Sequence, residues 1–417
     1  MEQYDVIVIG AGPAGLFGAI GSQDESRSRK VLLLEKNPKP GKKLRISGAG
    51  QCNFTHSGDI KDFLSHYGEN GKFLKRALYY FSNQDLLRFF KARGLDFVET
   101  PEGKIFPITM KAEDVLDVLL KECDKKGINI LCNHRVESIA KDADIFRVYT
   151  GDREYSGKYV IIATGGMSYP STGSTGDGYE WARSLGHSIS KPIPALTPLY
   201  IKDHPFSELS GISFQGINIS LWREGKKIKG WRGDVLITHR GLSGPGILNY
   251  SRYVLPGDII RLNFVSIENE EEFHREFINL LQKHGKSLVK NALKNIPIPE
   301  RLIQKLMALS GISEKDQCAY LDKERRKRIA GLLYGFPFEV EKLGDFNIAM
   351  VTRGGVSLKE VNPNTMESRI VPGLFFAGEI LDVDGDTGGY NIQAAFSTGW
   401  LAGTSISHKQ TNNGNII

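Results

Sequence analysis

Cysteine is scarce in this chain. There are four, Cys52, Cys123, Cys132 and Cys318, in 417 residues, and no two stand in a Cys-x-x-Cys pair. That spacing excludes a cysteine-built zinc ribbon and a CxxC redox disulfide, and it is the usage of a protein kept reduced, so a cytoplasmic location is expected. Long apolar runs are missing too. None reaches the roughly 20 residues of a membrane span, and the apolar segment near the N-terminus has no basic flank, which argues against a signal peptide. The excess of one charge is small: 54 Lys and Arg against 48 Asp and Glu leave +6. The densest basic run, 323–328, carries Glu324 within it and no nucleic-acid motif beside it, so it reads as the solvated face of a helix. No internal repeat is evident, and the Asn53-Phe54-Thr55 sequon has no secretory context to give it meaning.

What is present is concentrated at the start. Val6-Ile7-Val8-Ile9 leads into Gly10-Ala11-Gly12-Pro13-Ala14-Gly15, and the next apolar run ends at Glu35, 25 residues past Gly10. Strand, glycine turn, helix, strand and acid are the parts a dinucleotide requires. Gly10 allows the tight turn, Gly12 lets a pyrophosphate approach the backbone, and Gly15 lets helix and strand pack closely. The helix N-terminus offers unpaired N–H groups, and Glu35 is placed to accept ribose hydroxyls.

A chain of this length is expected to hold two or three domains. Helical patterns run over 72–93 and 111–126, and strands are expected at 128–132, 136–140, 146–149 and 159–163, the last breaking into Thr164-Gly165-Gly166. Prolines 192, 194 and 198 read as a linker, followed by strand-like segments at 199–201, 217–221, 234–238 and 259–264. Helical periodicity is clearest at 271–283 and 299–310, and a final helix is expected from about Ile392. The expected division is a cofactor domain of 1–190 and 351–417, interrupted by a β-barrel-like part at 191–265, a helical part at 266–330 and return strands at 331–350.

Two further motifs carry chemistry. Leu374-Phe375-Phe376-Ala377-Gly378-Glu379 is a buried strand ending in glycine and an acid, a pattern that in two-dinucleotide flavoproteins faces the ribityl chain and phosphates. It is followed by Asp386-Thr387-Gly388-Gly389-Tyr390-Asn391-Ile392, where a glycine pair opens a helix. Such a helix end would aim free N–H groups at the N1–C2=O edge of a flavin and stabilise its reduced anion. Asp382, Asp384 and Asp386 alternate, but Thr387 and Gln393 occupy the positions where a calcium loop needs glycine and glutamate, so no metal is expected. The loop at 41–53 brings Lys42, Lys43 and Arg45 next to small residues that would let the backbone approach a flat ring; Cys52 within it reads as a packed small residue. His239 follows a strand and precedes a glycine loop, which makes it the candidate proton donor or base. No second strand–GxGxxG–helix unit exists, so a flavin here would be reduced by transiently bound NAD(P)H or by the substrate itself.

Taken together these stretches resemble the bacterial NAD(P)/FAD-dependent oxidoreductases often filed as uncharacterised flavoproteins, whose members are described as aminoacetone oxidases and as bile-acid enone reductases. The matching pieces are GAGPAG at 10–15, KLRISGAGQCN at 43–53, ATGGMSYPSTGSTGDGY at 163–179, ITHRGLSGPGILNYSR at 237–252, TRGGVSLKEVNP from 352, and FFAGEILDVDGDTGGYNIQAAFSTG ending at 399. The resemblance implies an α/β fold: a glutathione-reductase-like Rossmann FAD domain with an inserted small β-barrel and a helical domain. It implies FAD contacts at Gly10, Ala11, Gly12, Pro13, Ala14 and Gly15, at Glu35 and Lys36, and at Lys43, Arg45, Ser47, Gly48, Cys52 and Asn53. It extends them to Val136, to Thr164 and Gly165, to Gly378 and Glu379, and to Asp386, Gly388, Gly389, Asn391 and Ile392. The link 22–30 departs from the family pattern and is expected to change a surface loop alone.

The leading expectation is an FAD enzyme that moves a hydride between NAD(P)H and a small organic substrate through flavin N5, the reduction of an activated C=C bond being one form. An oxygen-using amine oxidase is the near alternative, and a tRNA-modifying flavoprotein is the alternative from another class. The expected partner is a small molecule rather than nucleic acid or membrane. The substrate, the nicotinamide preferred and the oligomeric state stay open.

Overall fold

The computed structural model describes residues 2–23, 29–151, 153–265 and 267–409. Its first elements are β1 (Glu2–Ile9), α1 (Pro13–Ser22) and β2 (Val31–Leu34). Val6 to Ile9 and Val31 to Leu34 are buried throughout, as central strands of a sheet covered on both faces must be. β1 and β2 pair in parallel, Val6 opposite Val31 and Ile9 opposite Leu34. The sheet runs in the order Asn129–Leu131, β2, β1, Arg153–Ile162, Ile145–Thr150, Ser138–Asp142. Leu374–Phe376 returns from the far end of the chain to pair in parallel with the second half of Arg153–Ile162, Leu374 opposite Val160.

The described residues divide into two units, one built from the first 195 residues and those from Phe346 on, the other from Leu196–Asp345. In the first, α1 packs on the C-terminal helix Tyr390–Lys409 backbone to backbone. A Cβ on Gly399 would lie 2.2 Å from the Ala14 carbonyl oxygen, and one on Gly403 would lie 2.3 Å from that of Gly18. Phe17 then seats its ring among Phe81, Phe89, Phe396 and Trp400 at centroid distances of 4.6 to 5.7 Å. This crossing sets the glycine pair before Tyr390 in the same unit as the fingerprint turn.

In the second unit, six strands close into a barrel in the order Leu199–Ile201, Gly241–Ser243, Lys226–Ile237, Ser213–Arg223, Ile259–Asn263, Phe336–Leu343. Closure leaves no edge strand open to further pairing. The apolar faces of helices Glu270–Lys283, Glu300–Leu309 and Lys323–Gly335 share one core with the barrel: Phe273 and Phe277, Leu302 and Leu306, Ile329 and Leu333 join Phe206, Ile260 and Phe338.

Three expectations are corrected. The helical stretch at 72–93 is two helices, Lys75–Tyr80 and Asn83–Lys91, because Ser82 caps the second in a reciprocal box with Asp85. The segment read as a proline linker contains the strand Ile189–Ala195, antiparallel to Val351–Val356. A register shift between Ser190 and Ile193 accommodates Pro192, and a two-stranded ribbon tolerates Pro194 at its edge. The link 22–30 is more than a surface loop: its residues 24–28 lie outside the described residues, but Arg29 at its end is buried and donates to the carbonyls of Ser22 and Ser407.

Candidate functional site

The turn at 10–15 is shaped by backbone approach. Gly10 has φ +101°, and a Cβ there would sit 2.6 Å from the Ala163 carbonyl oxygen; on Gly15 it would sit 1.8 Å from the carbonyl oxygen of Gly10. Gly12 differs. It has ordinary φ and ψ, and a Cβ added to it would meet no protein atom within 4 Å. Packing therefore gives no reason for glycine there, whereas a ligand approaching the head of α1 does. Gly12 is the N-cap of α1, with no side-chain cap bond and no acid in the first turn, so the terminal N–H groups and the positive end of the helix dipole are available to an anion.

Glu35 lies at the end of β2 and is buried. Its Oε2 accepts the Ala11 N–H at 2.9 Å, and Oε1 accepts the backbone N–H and side-chain amide of Asn37 at 2.8 and 2.7 Å. The carboxylate braces the turn, and one acceptor direction on Oε2 is left for a ribose hydroxyl. Asn53 Oδ1 and Thr164 Oγ1 are buried without a hydrogen-bond partner among the described residues. Buried polar atoms of this kind call for a partner from outside the chain. With the open space at Gly12, they show that the residues present fit an FAD.

The loop that follows splits its three cations. Lys42 donates to the Ser171 carbonyl at 2.6 Å, and Arg45 is paired with Glu113 at 2.9 Å. Lys43 reaches Glu379 Oε2 at 2.7 Å and Ser168 Oγ at 3.0 Å, while Glu379 Oε1 accepts from Ser168 Oγ at 2.7 Å and from the Thr352 N–H at 2.8 Å. Lys36 holds Asp177 at 2.7 Å; burial opposes the charge of Asp177, but Lys36 and Thr175 outweigh it and keep the carboxyl below the usual aspartate range. Gly48, Ala49, Gly50 and Cys52 all have positive φ, while the Ser47 hydroxyl donates to the Leu44 carbonyl. Cys52 itself is buried, and burial pushes its thiol up to about 12. It is expected to resist iodoacetamide in the folded protein at pH 8 and to react once the chain is unfolded in urea, a difference peptide mass spectrometry reads directly. Rapid labelling of the native protein would overturn that picture.

The C-terminal motif joins this cluster. A Cβ on Gly378 would fall 2.8 Å from the Ala14 side chain, and one on Gly389, at φ +94°, would fall 2.5 Å from the Thr55 carbonyl oxygen. Asn391 clamps the loop before the helix: Oδ1 accepts the Gly385 N–H at 2.7 Å and Nδ2 donates to the carbonyls of Gly385 and Asp386 at 2.9 and 3.2 Å. Gly388 and Gly389 precede the first helical residue, and Ile392 is half-buried in the first turn. Val136 is buried, two residues past His134, whose N–H bonds the Glu35 carbonyl; Gly165, at φ +73°, lies by Ser174.

A feature the sequence did not announce stands beside Gly388. Tyr390 is sandwiched between two imidazoles, His66 at 4.0 Å and 14° and His56 at 5.0 Å and 18°. His66 Nδ1 is 3.0 Å from Asp386 Oδ2, and Tyr67 donates its hydroxyl to the Tyr390 carbonyl at 2.8 Å. Burial, reinforced by Asp386, pushes the Tyr390 phenol up to about 12, so it stays protonated. Asp386 and Tyr390 lay in a quoted motif, but nothing in local spacing ties them to histidines more than 300 residues earlier. His239 falls in the Leu196–Asp345 unit, exposed at the bend after strand Lys226–Ile237. Among the described residues no three His, Cys, Asp or Glu side chains converge as a metal site.

The model of the HI0933-like protein Rossmann domain matches residues 4–405. A ribosomal RNA dihydrouridine synthase of Escherichia coli is 32% identical over 407 residues, covering 97% of this chain and 98% of that one. A 3-dehydro-bile acid delta(4,6)-reductase of Clostridium scindens is 31% identical over 409 residues, covering 96% and 98%. Among solved structures, the 3-ketosteroid delta1-dehydrogenase of Sterolibacterium denitrificans shares the fold at a TM-score of 0.50 and 11% identity, covering 98% of this chain and 100% of that one.

Proposed function

The chain belongs to the HI0933-like family of Rossmann-fold FAD oxidoreductases, and from that premise we propose that it reduces a carbon–carbon double bond conjugated to a carbonyl, with NAD(P)H as the electron source. The observation that carries the cofactor side is Gly12, whose missing side chain leaves open space at an uncapped helix N-terminus. The substrate side is supported by two relatives that match along nearly their whole length. Both names denote saturation of an alkene conjugated to a carbonyl, the uracil C5=C6 bond in one and a steroid dienone in the other.

FAD bound here would supply two-electron hydride chemistry. The free N–H groups in the first turn of α1, after Gly12, would hold the pyrophosphate and Glu35 would hold the ribose, while the Lys43–Glu379–Ser168 network fixes the loop and the strand end against each other. Thr164 and Asn53 would supply their unsatisfied oxygens to the FAD. The helix end at Gly388 and Gly389 would offer positive dipole to the electron-rich edge of the ring. Overall, NAD(P)H and one proton convert the alkene to the saturated carbonyl compound and NAD(P)+. The hydride goes to one carbon and the proton to its neighbour. His239 is the donor proposed for that proton; His66, fixed by Asp386 beside Gly388, is the second candidate. The pH profiles of H239Q and H66Q separate the two.

Anaerobic addition of NADPH or NADH to the purified protein is expected to bleach the flavin bands near ~450 nm, and an enone or a uridine-containing RNA to restore them. Flavin that neither nucleotide bleaches would overturn the reductase reading and direct the search to amines, with oxygen as acceptor.

A further inference from the structure

We propose that the groove between helix Lys323–Gly335 and the outer face of the barrel docks the phosphate backbone of RNA, which makes the reducible alkene a uracil ring within that RNA. The inference rests on the reductase reading above and chooses between its two substrate forms.

The charge of the chain is not evenly spread. Leu196–Asp345 holds 23 Lys and Arg against 18 Asp and Glu, so this unit contributes +5 of the net +6. A shallow groove of about 410 Å³ on it is lined by Arg261, Lys327 and Arg328, with Glu324 the one acid, and Gly331 and Gly335 leave its helical wall low. Among the described residues, none of the three cations forms an ion pair with a carboxylate. Arg325, in the same helix, is held by Asp316 and Asp322. Within the basic run, Arg325 is therefore spent on the protein's own acids, while Lys327 and Arg328 line the groove.

Aromatic surface adjoins the cations. The Arg261 guanidinium lies 4.4 Å from the Trp222 ring centroid, and the Trp222 indole N–H donates to Ser220 Oγ at 2.9 Å, which fixes the ring on the barrel face. A guanidinium laid on a fixed ring is oriented before a ligand arrives, and its fork matches a phosphate. Three unpaired cations and an aromatic plane beside a groove with two apolar lining residues, Leu332 and Pro337, suit a polyanion that carries bases. A bile-acid dienone carries a single carboxylate, which one of these cations satisfies and which leaves the other two without a partner. A lipid surface would call for apolar side chains at the rim, and the groove is lined by cations and glycine with Leu332 and Pro337 as its apolar members.

The test is binding of fluorescently labelled, protein-free bacterial ribosomal RNA by the full-length FAD-loaded enzyme, with phosphatidylglycerol vesicles as the second arm. Affinity for RNA is expected to fall about 40-fold between 50 and 200 mM salt, as displacement of counterions from roughly three phosphates requires. The R261E/K327E/R328E variant is expected to lose more than ~10-fold in affinity and to lower the log–log salt slope by about 2–3. The neutral R261Q/K327Q/R328Q variant guards against misfolding and should lose affinity by a smaller factor. Flavin content and anaerobic bleaching by NAD(P)H are expected to stay at the level of the parent in both. RNA affinity unchanged in both variants, absence of RNA binding by the parent, or binding of vesicles in place of RNA would each overturn the proposal. A flavin that NAD(P)H cannot bleach is a separate failure, that of the reductase reading.

Discussion

Gly15→Ala is expected to give a protein without flavin and with a weakened FAD-binding unit. The new methyl would lie 1.8 Å from the carbonyl oxygen of Gly10 and 3.4 Å from the Ala163 side chain. The nearer neighbour is backbone, so no rotamer change relieves the clash. To reach ordinary contact, α1 must withdraw from the end of β1 by more than an ångström, and its other side is already backbone to backbone with the C-terminal helix at Gly399 and Gly403. Overpacking against partners that cannot yield costs about 3 kcal/mol, the upper end of what inserted methylenes cost in well-packed cores. Gly12→Ala is the discriminating companion. Its methyl meets nothing within 4 Å, so the apoprotein is expected to melt as the parent does while FAD affinity falls at least ~10-fold. Added FAD at 100 times its Kd stabilises the parent by about 2.7 kcal/mol, and the same concentration should stabilise Gly12→Ala by about 1.4 kcal/mol or less. Full retention of FAD by Gly12→Ala would remove the pyrophosphate from this turn.

The two glycines also mark how far local sequence reaches. Turn, strand and acid within residues 6–35 could be read because each partner is a near neighbour in the chain: Ala11 and Glu35 are 24 residues apart. The capping box at Ser82 and Asp85 was equally local, and the apolar periodicity that runs across it concealed it. Pro192 and Pro194 misled because proline signals a break only when a neighbouring strand needs its N–H, and the ribbon with Val351–Val356 does not. Closure of the barrel had no local signature, since two of its strands, Leu199–Ile201 and Gly241–Ser243, are three residues long and gain their partners from distant segments. The site divides in the same way. Its glycines could be read; the partner of Lys43 is 336 residues away and that of His66 is 320, and no spacing rule spans such distances.

Arg29 carries this furthest, and its replacement by methionine is expected to lower the unfolding free energy of the first unit by about 2–3 kcal/mol. Arg29 is 5% exposed, with Nη1 donating to the Ser22 carbonyl at 2.9 Å and Nη2 to the Ser407 carbonyl at 3.1 Å. Ser22 is the last residue of α1, and Ser407 lies in the last turn of the C-terminal helix. Carbonyls at helix C-termini lack intrahelical donors and carry the negative end of the dipole, so one cation satisfies two ends at once. Gln23 holds it in place, its side chain bonding the Arg29 N–H and carbonyl as well as the Lys126 carbonyl. Methionine keeps most of the volume and removes both donors, so the loss would arise from unsatisfied carbonyls rather than from a cavity. Relief of the buried charge offsets part of it, which keeps the figure near the lower end for two charge-assisted bonds. Arg29→Lys is expected to recover about half, since an ammonium reaches one carbonyl more readily than both. Urea unfolding with an unchanged m-value checks both variants, and repetition in 1 M salt separates the causes. A buried bridge leaves the loss intact, whereas a loss that disappears in salt, or one under about 0.5 kcal/mol, returns Arg29 to the surface loop its sequence position suggested.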